Sequence, residues 1–264
     1  MCTIVVLNRV SSDWPVVIAA NRDEFFHRPA APPQRWPGEP ALVAPVDESK
    51  GGTWMGIASG GFFVGVTNQR TWGHSRTDLD SRGQLVIDLL RSGSLEGARA
   101  LLASRDARRY NPFNLLYGDA SGLDVAYGRL DCADISIFEV PPGVHVLPND
   151  VLDSPDTPKV RRIRGSLEDA ASLTRAQLRT RLEAVLADRQ RSPIDQVAEP
   201  PPGSPFTRAL LHELDAVAIE TPAYGTRSSS IVALDHGRAA GLWYTHQPPH
   251  RSEFEDLADL LVDL

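Results

Sequence analysis

Cysteine is scarce in this 264-residue chain: it occurs only as Cys2 and Cys132. Two are too few for a disulfide framework, which agrees with a reducing compartment. Neither belongs to a C-x-x-C pair, which argues against a structural zinc site. Basic excess is missing too. The net charge is −7, and a nucleic-acid-binding domain normally shows a basic face, so nucleic acid is not an expected partner. No apolar run approaches the ~20 residues of a membrane span. The apolar stretch at 3–7 is too short for a signal peptide and has no basic segment before it. A soluble, cytoplasmic protein is expected. No G-x-S-x-G, P-loop or G-x-G-x-x-G occurs, which leaves kinase, nucleotide-hydrolase and dinucleotide-oxidoreductase readings without support. The seven histidines include no H-E-x-x-H. His246 and His250 are four apart, but Pro248 and Pro249 separate them, so no metal or other cofactor is expected.

What is present starts at residue 2. If Met1 is removed, Cys2 carries both a thiol and a free α-amine, groups that in an unstructured peptide titrate near pH ~8.5 and ~8. An amine titrating there can serve as general base for the thiol beside it, the arrangement of N-terminal-nucleophile hydrolases. Residues 3–7 and 16–20 read as two buried strands of a hairpin. The second ends in Asn21-Arg22-Asp23-Glu24, which puts Arg22 and Asp23 within reach of residue 2. Residues 28–45 hold six prolines and read as a surface loop pinned by Trp36, neither helix nor internal strand. The clearest hairpin is 53–58 with 62–67, ending at Asn68. Ser81 reads as the cap of a helix to about residue 91, and a second helix covers 95–104. Four strand-like pieces follow between 113 and 147, closed by Pro148-Asn149-Asp150. Helical periodicity covers 159–186, broken near 172–174 with Thr174 as an N-cap. Residues 191–205 form a proline-rich loop, and 206–214 a short helix. A strand pair at 224–245 turns at Asp235-His236-Gly237. Residues 252–264 read as an amphipathic helix. Antiparallel hairpins with helices grouped between them indicate an α+β fold.

The strand ends carry groups suited to amide or ester chemistry. Cys2 would attack a carbonyl. Asn68 and Asn149 could donate N–H bonds to an oxyanion, each typically worth roughly 3 kcal/mol of barrier. Arg22 or Arg227 would favour the thiolate, and Asp23 could hold the α-ammonium or orient a water.

Met1-Cys2-Thr3, Ala20-Asn21-Arg22-Asp23-Glu24-Phe25-Phe26 with Arg28-Pro29, Gly51-Gly52-Thr53-Trp54-Met55-Gly56-Ile57, Val66-Thr67-Asn68, Asn111-Pro112-Phe113-Asn114-Leu115-Leu116 and Tyr224-Gly225-Thr226-Arg227-Ser228 together resemble the NRDE family, that of transport and Golgi organisation protein 2. The match runs in order along nearly the whole chain and implies a single domain over 1–264. The family is itself similar to cysteine N-terminal-nucleophile hydrolases, which implies a four-layer αββα sandwich. By position the resemblance makes Cys2 the nucleophile, Arg22 its neighbouring arginine, and Asn68 and Asn149 the two asparagines. In the acylases of that branch the aspartate lies three residues after the arginine; here it follows directly, so that part falls to Asp23, to Glu24 or to neither. Arg227 matches the NRDE pattern. Two functions follow as expectations: hydrolysis of an amide or thioester in a small acylated metabolite, or binding and trafficking of haem or an acyl lipid as cargo on the same scaffold.

Overall fold

The computed structural model describes residues 2–264; Met1, whose removal the expected chemistry invokes, lies outside them. The chain begins with β1 (Cys2–Asn8) and β2 (Val16–Phe25), followed by β3 (Ala30–Trp36), β4 (Leu42–Asp47), β5 (Met55–Ala58) and β6 (Phe62–Asn68). Helices α1 (Arg82–Ser92) and α2 (Leu95–Ala103) precede β7 (Phe113–Asp119), β8 (Gly122–Gly128), β9 (Ser136–Glu139) and β10 (Gly143–Leu147). Then come α3 (Pro158–Gly165), α4 (Arg175–Leu186), α5 (Arg208–Glu213), β11 (Tyr224–Asp235), β12 (Arg238–Thr245) and the short β13 (Glu255–Asp256).

Among the described residues two antiparallel sheets form. One has the order β10-β1-β2-β11-β12-β13, the other β3-β4-β5-β6-β7-β8-β9. Three apolar layers separate four layers of structure. Ile4, Val6, Ile18 and Val232 of the first sheet meet Met55, Ile57, Phe63 and Leu116 of the second. On the far side of the first sheet, Val5, Leu7, Val17 and Ile231 pack on Val160 and Ile163 of α3 and Leu178 and Leu182 of α4. On the far side of the second, Phe62, Val64 and Leu115 pack on Leu85 and Leu89 of α1 and Leu102 of α2. The result is an αββα sandwich. It explains why β1 and β2 are uninterrupted apolar runs: both faces of each strand are covered, so neither face is left for polar residues. No described helix is long and apolar enough to cross a membrane.

The helix starts match their sequence signals. Ser81 Oγ accepts from Gln84 N at 3.3 Å, and Thr174 with Gln177 forms a reciprocal capping box. Two expectations need correction. The proline-rich 28–45 region is not a loop: it supplies edge strand β3 and internal strand β4. The ladder skips between Ala31 and Gln34, so Pro32 and Pro33 fall where no paired N–H is required, and β3 lies at the sheet edge where proline is tolerated. Trp36 does pin the segment, with its indole N–H on Ala44 O at 2.9 Å. The C-terminus is not an amphipathic helix. Leu257 N bonds Leu242 O at 2.8 Å and Asp256 accepts from the Trp243 indole at 3.1 Å, which fixes it as β13 and a 3-10 turn. Leu257, Leu260 and Leu261 still reach the inter-sheet core.

Candidate functional site

Hairpin register decides what surrounds Cys2. Cys2 pairs with Arg22 across β1 and β2, and Ser228 pairs with Arg22 across β11 and β2. Side chains alternate along strands, so Cys2, Ile4, Ala20, Arg22, Ser228 and Ser230 share the face turned to the second sheet. There they meet Trp54, Met55, Phe63 and Val66 in one narrow recess between the sheets, whose cavity volume is only about 10 Å³. Cys2 retains partial exposure. Burial nevertheless pushes its thiol up, while a hydrogen bond from the Asp23 backbone and the Arg22 charge pull the other way without offsetting it.

Arg22 is 6% exposed. Its guanidinium lies over the Trp54 ring, 4.2 Å from the centroid. Burial pushes it below its ordinary value, and the charge of Cys2 resists. Asp23 occupies the next position and so the opposite face. Its Oδ1 accepts from Thr226 Oγ1 at 2.5 Å, and its carbonyl accepts from the Tyr224 hydroxyl at 2.8 Å. Burial pushes this carboxyl up, opposed by the charge of Lys159 and the Thr226 hydrogen bond. Lys159, a buried lysine at the start of α3, donates to Leu214 O and Ala216 O at 3.2 and 3.3 Å. Glu24 is tied instead to Arg28 at 3.2 Å and to the Phe25 N–H at 2.9 Å.

Asn68 and Asn149 are brought together at the end of β6: Asn149 Nδ2 donates to Asn68 O at 2.7 Å. Neither lines the recess. The ladder of β10 on β1 ends at Leu147 opposite Ile4, two residues before Asn149. Arg227 stands elsewhere. It sits at the irregularity between Thr226 and Ser228 in the ladder to β2, and its Nη1 donates to Phe25 O, Phe26 O and Arg28 O at 3.2, 2.6 and 3.1 Å. That clamps the turn after β2.

Two residues to which the sequence assigned no role emerge. Asn114, on β7 and fully buried, donates to Thr67 Oγ1, Pro148 O and Asp150 O at 3.0, 3.3 and 2.9 Å. It braces the segment carrying Asn149. Arg82 opens α1; its guanidinium donates to Pro112 O at 3.1 Å, and the opposite charges facing it are Cys2 and Glu24. Asn114 stands inside the Asn111–Leu116 family motif, whereas nothing local marks Arg82. Among the described residues no group of three or more His, Cys, Asp or Glu could hold a metal.

A family model described as Transport and Golgi organisation 2 matches residues 1–243. Among curated proteins, the chain is similar to the Transport and Golgi organization protein 2 homolog of Bos taurus, 29% identical over 230 residues, covering 84% of this chain and 83% of the relative. It is also similar to Transport and Golgi organization protein 2 of Drosophila melanogaster, 25% identical over 256 residues, covering 89% and 88%. Among solved structures it is similar to a Caenorhabditis elegans N-acylethanolamine-hydrolyzing acid amidase ortholog, with TM-score 0.54 and 9% identity over 88% of this chain and 92% of that one. A mutant conjugated bile acid hydrolase from Clostridium perfringens gives TM-score 0.50 and 12% identity over 100% and 94%. At such identities the structural likeness speaks to the fold alone, and the fold is the αββα sandwich of N-terminal-nucleophile hydrolases.

Proposed function

Starting from the fact that this chain belongs to the Transport and Golgi organisation 2 family, we propose that it is a cysteine N-terminal-nucleophile hydrolase of an amide or thioester bond in a small acylated metabolite. The observation that carries the reading is the pairing of Cys2 with Arg22 at one end of the inter-sheet recess. A thiol is useful as a nucleophile only as thiolate, and an adjacent guanidinium favours that form.

In this reaction Sγ attacks the substrate carbonyl and a C–S bond forms. The thiol proton passes through the α-amine of Cys2, once Met1 has been removed, to the leaving amine as the C–N bond of an amide breaks, or to the leaving thiolate as the C–S bond of a thioester breaks. Water then attacks the thioester, releases the acid and regenerates the thiol. While Met1 is attached, the nitrogen of Cys2 is an amide and cannot act as the base. Asp23, held by Thr226, is assigned to orienting the freed ammonium. The family resemblance, and not the lining of the recess, is what assigns Asn149 and Asn68 as oxyanion donors.

The test begins with intact mass of the purified chain, to establish whether Met1 is present. Processed protein is then assayed against a panel of acyl amides and acyl thioesters beside Cys2→Ala. Loss of a thousandfold or more in the variant is expected, as when a unit of catalytic groups loses its nucleophile. Equal turnover by the two proteins would remove Cys2 from the chemistry.

A further inference from the structure

We propose that Trp54 sets the size of the acyl group that Cys2 accepts and admits none larger than acetyl. The proposal deepens the hydrolase reading and rests on Cys2 as its nucleophile. It starts from how little room lies beside the sulfur. A cavity volume of about 10 Å³ holds about one water molecule, and a methyl group is of that size. The walls of the recess differ in what they can give. Ile4, Ala20, Met55 and Phe63 belong to the packed layer between the sheets, and a close-packed layer does not retreat to make space. Among the described residues lining the recess, only Cys2, Trp54 and Val66 keep partial exposure. These three form its mouth, and Trp54 is the largest of them.

The backbone on either side of Trp54 is fixed. Thr53 N bonds Gly83 O at 3.3 Å, and Val66 N bonds Trp54 O at 2.9 Å. The Thr53 hydroxyl donates to Met55 O at 2.8 Å. Two residues before Trp54 the chain is pressed onto the start of α1: a Cβ on Gly52 would stand 2.7 Å from the Gly83 carbonyl carbon. Only rotation of the side chain is left, and the indole is propped as well. The Arg22 guanidinium lies 4.2 Å from its centroid, and Arg22 is 6% exposed. Swinging the ring aside gives up that cation–π contact, which desolvation strengthens. When Sγ attacks a carbonyl, the leaving group departs towards solvent, so the acyl substituent is the part that meets the recess and the indole. The methyl of an acetyl group fits. Each further methylene has to displace the ring, and a close-fitting apolar site discriminates by about 10- to 200-fold per methylene.

The test reads acylation of Cys2 by p-nitrophenyl acetate, butyrate and hexanoate in a Cys132→Ser background. Sγ gives its proton to buffer base and forms the C–S bond, the ester C–O bond breaks, and p-nitrophenolate leaves. The rate is therefore read without any hydrolytic turnover. Intact mass counts the acyl groups, Cys2→Ala corrects for labelling elsewhere, and each rate is divided by that of 2-mercaptoethanol with the same ester. With Trp54 in place, butyrate should react at least about tenfold more slowly than acetate, and hexanoate more slowly again. Trp54→Ala should bring the three rates within about threefold of one another, and Trp54→Phe should fall between. The ratio of rates decides, because a merely structural role for Trp54 would move all three together. If Trp54→Ala does not fold, Trp54→Phe carries the test, with an acetate-to-hexanoate ratio severalfold below that of the parent. Equal rates for the three esters with Trp54 present, or a ratio that neither substitution changes, would overturn the proposal. A Cys2 that no ester acylates would remove the nucleophile and this limit together. Chain-length selection in acylation, without turnover of acetyl amides or thioesters by the processed chain, would keep the limit and discard the hydrolase.

Discussion

Asn114→Ala tests whether the second asparagine of the site is held in place from β7. In the native chain the Asn114 amide joins β6 to the segment following β10 through Thr67 Oγ1, Pro148 O and Asp150 O, and its Oδ1 accepts from Arg129 at 3.1 Å. Truncation does not orphan all of these equally. Pro148 O keeps the Thr67 hydroxyl at 3.0 Å. Asp150 O keeps no other donor among the described residues, and an unsatisfied buried acceptor costs about 1–3 kcal/mol. The Arg129 bond is half-exposed and worth less, and the cavity adds to the loss. A destabilisation of about 3 kcal/mol follows, a large share of the roughly 5–15 kcal/mol that holds a protein folded. At about 2–4 °C per kcal/mol for a chain of this size, Tm should fall by about 6–12 °C. The assay is urea unfolding followed by fluorescence and far-UV circular dichroism, with coincident transitions required before a free energy is taken. A double-mutant cycle with Thr67→Val should give a coupling near ~1 kcal/mol, since the two side chains bond directly. A loss below about 1 kcal/mol with unchanged m, or no coupling to Thr67, would refute the bracing role.

Other consequences are as specific. In a Cys132→Ser background, alkylation of Cys2 by iodoacetamide should rise with pH through a midpoint above the ordinary thiol range, because burial pushes the thiol up; Arg22→Met removes a favourable charge and should move that midpoint higher and slow labelling severalfold at about pH 8, whereas a shift downward would contradict the assignment. Thr226→Val strips the donor from Asp23 and the acceptor from Ile219 N, bonded at 2.9 Å, and should cost about 2 kcal/mol in urea unfolding; a neutral result would mean water replaces the hydroxyl. Gly118→Ala places a Cβ 2.1 Å from Gly122 O at φ +138°, so the β7–β8 turn cannot accept it; soluble protein with wild-type Tm would show the backbone there to be more yielding than the register implies.

How much of this could be read from residues alone depends on how local each cause is. The hairpin of β1 and β2 was legible because two uninterrupted apolar runs leave little choice of pairing, and once the register is set Arg22 must stand opposite Cys2. The caps at Ser81 and Thr174 were legible for the same reason, since a cap acts within three residues. Proline misled in 28–45, where local rules forbid an internal strand but a skipped pair in the ladder admits one. The C-terminal leucines have helical spacing, yet Leu257 N finds Leu242 O, and a partner more than ten residues distant overrides periodicity. The site divides along the same line. Cys2 and Arg22 come from adjacent strands. Arg82 comes from a helix whose approach depends on Gly52 meeting Gly83, a contact no spacing rule encodes. Arg227 marks the limit most clearly. It stands in a recognisable motif one residue from Ser228, which lines the recess, but the ladder to β2 slips between Thr226 and Ser228. Extra length at that point takes Arg227 out of the alternating series, and its guanidinium spends its donors on the carbonyls of 25–28. A one-residue slip in register thus separates a charge that would serve the thiolate from one that secures the turn behind it.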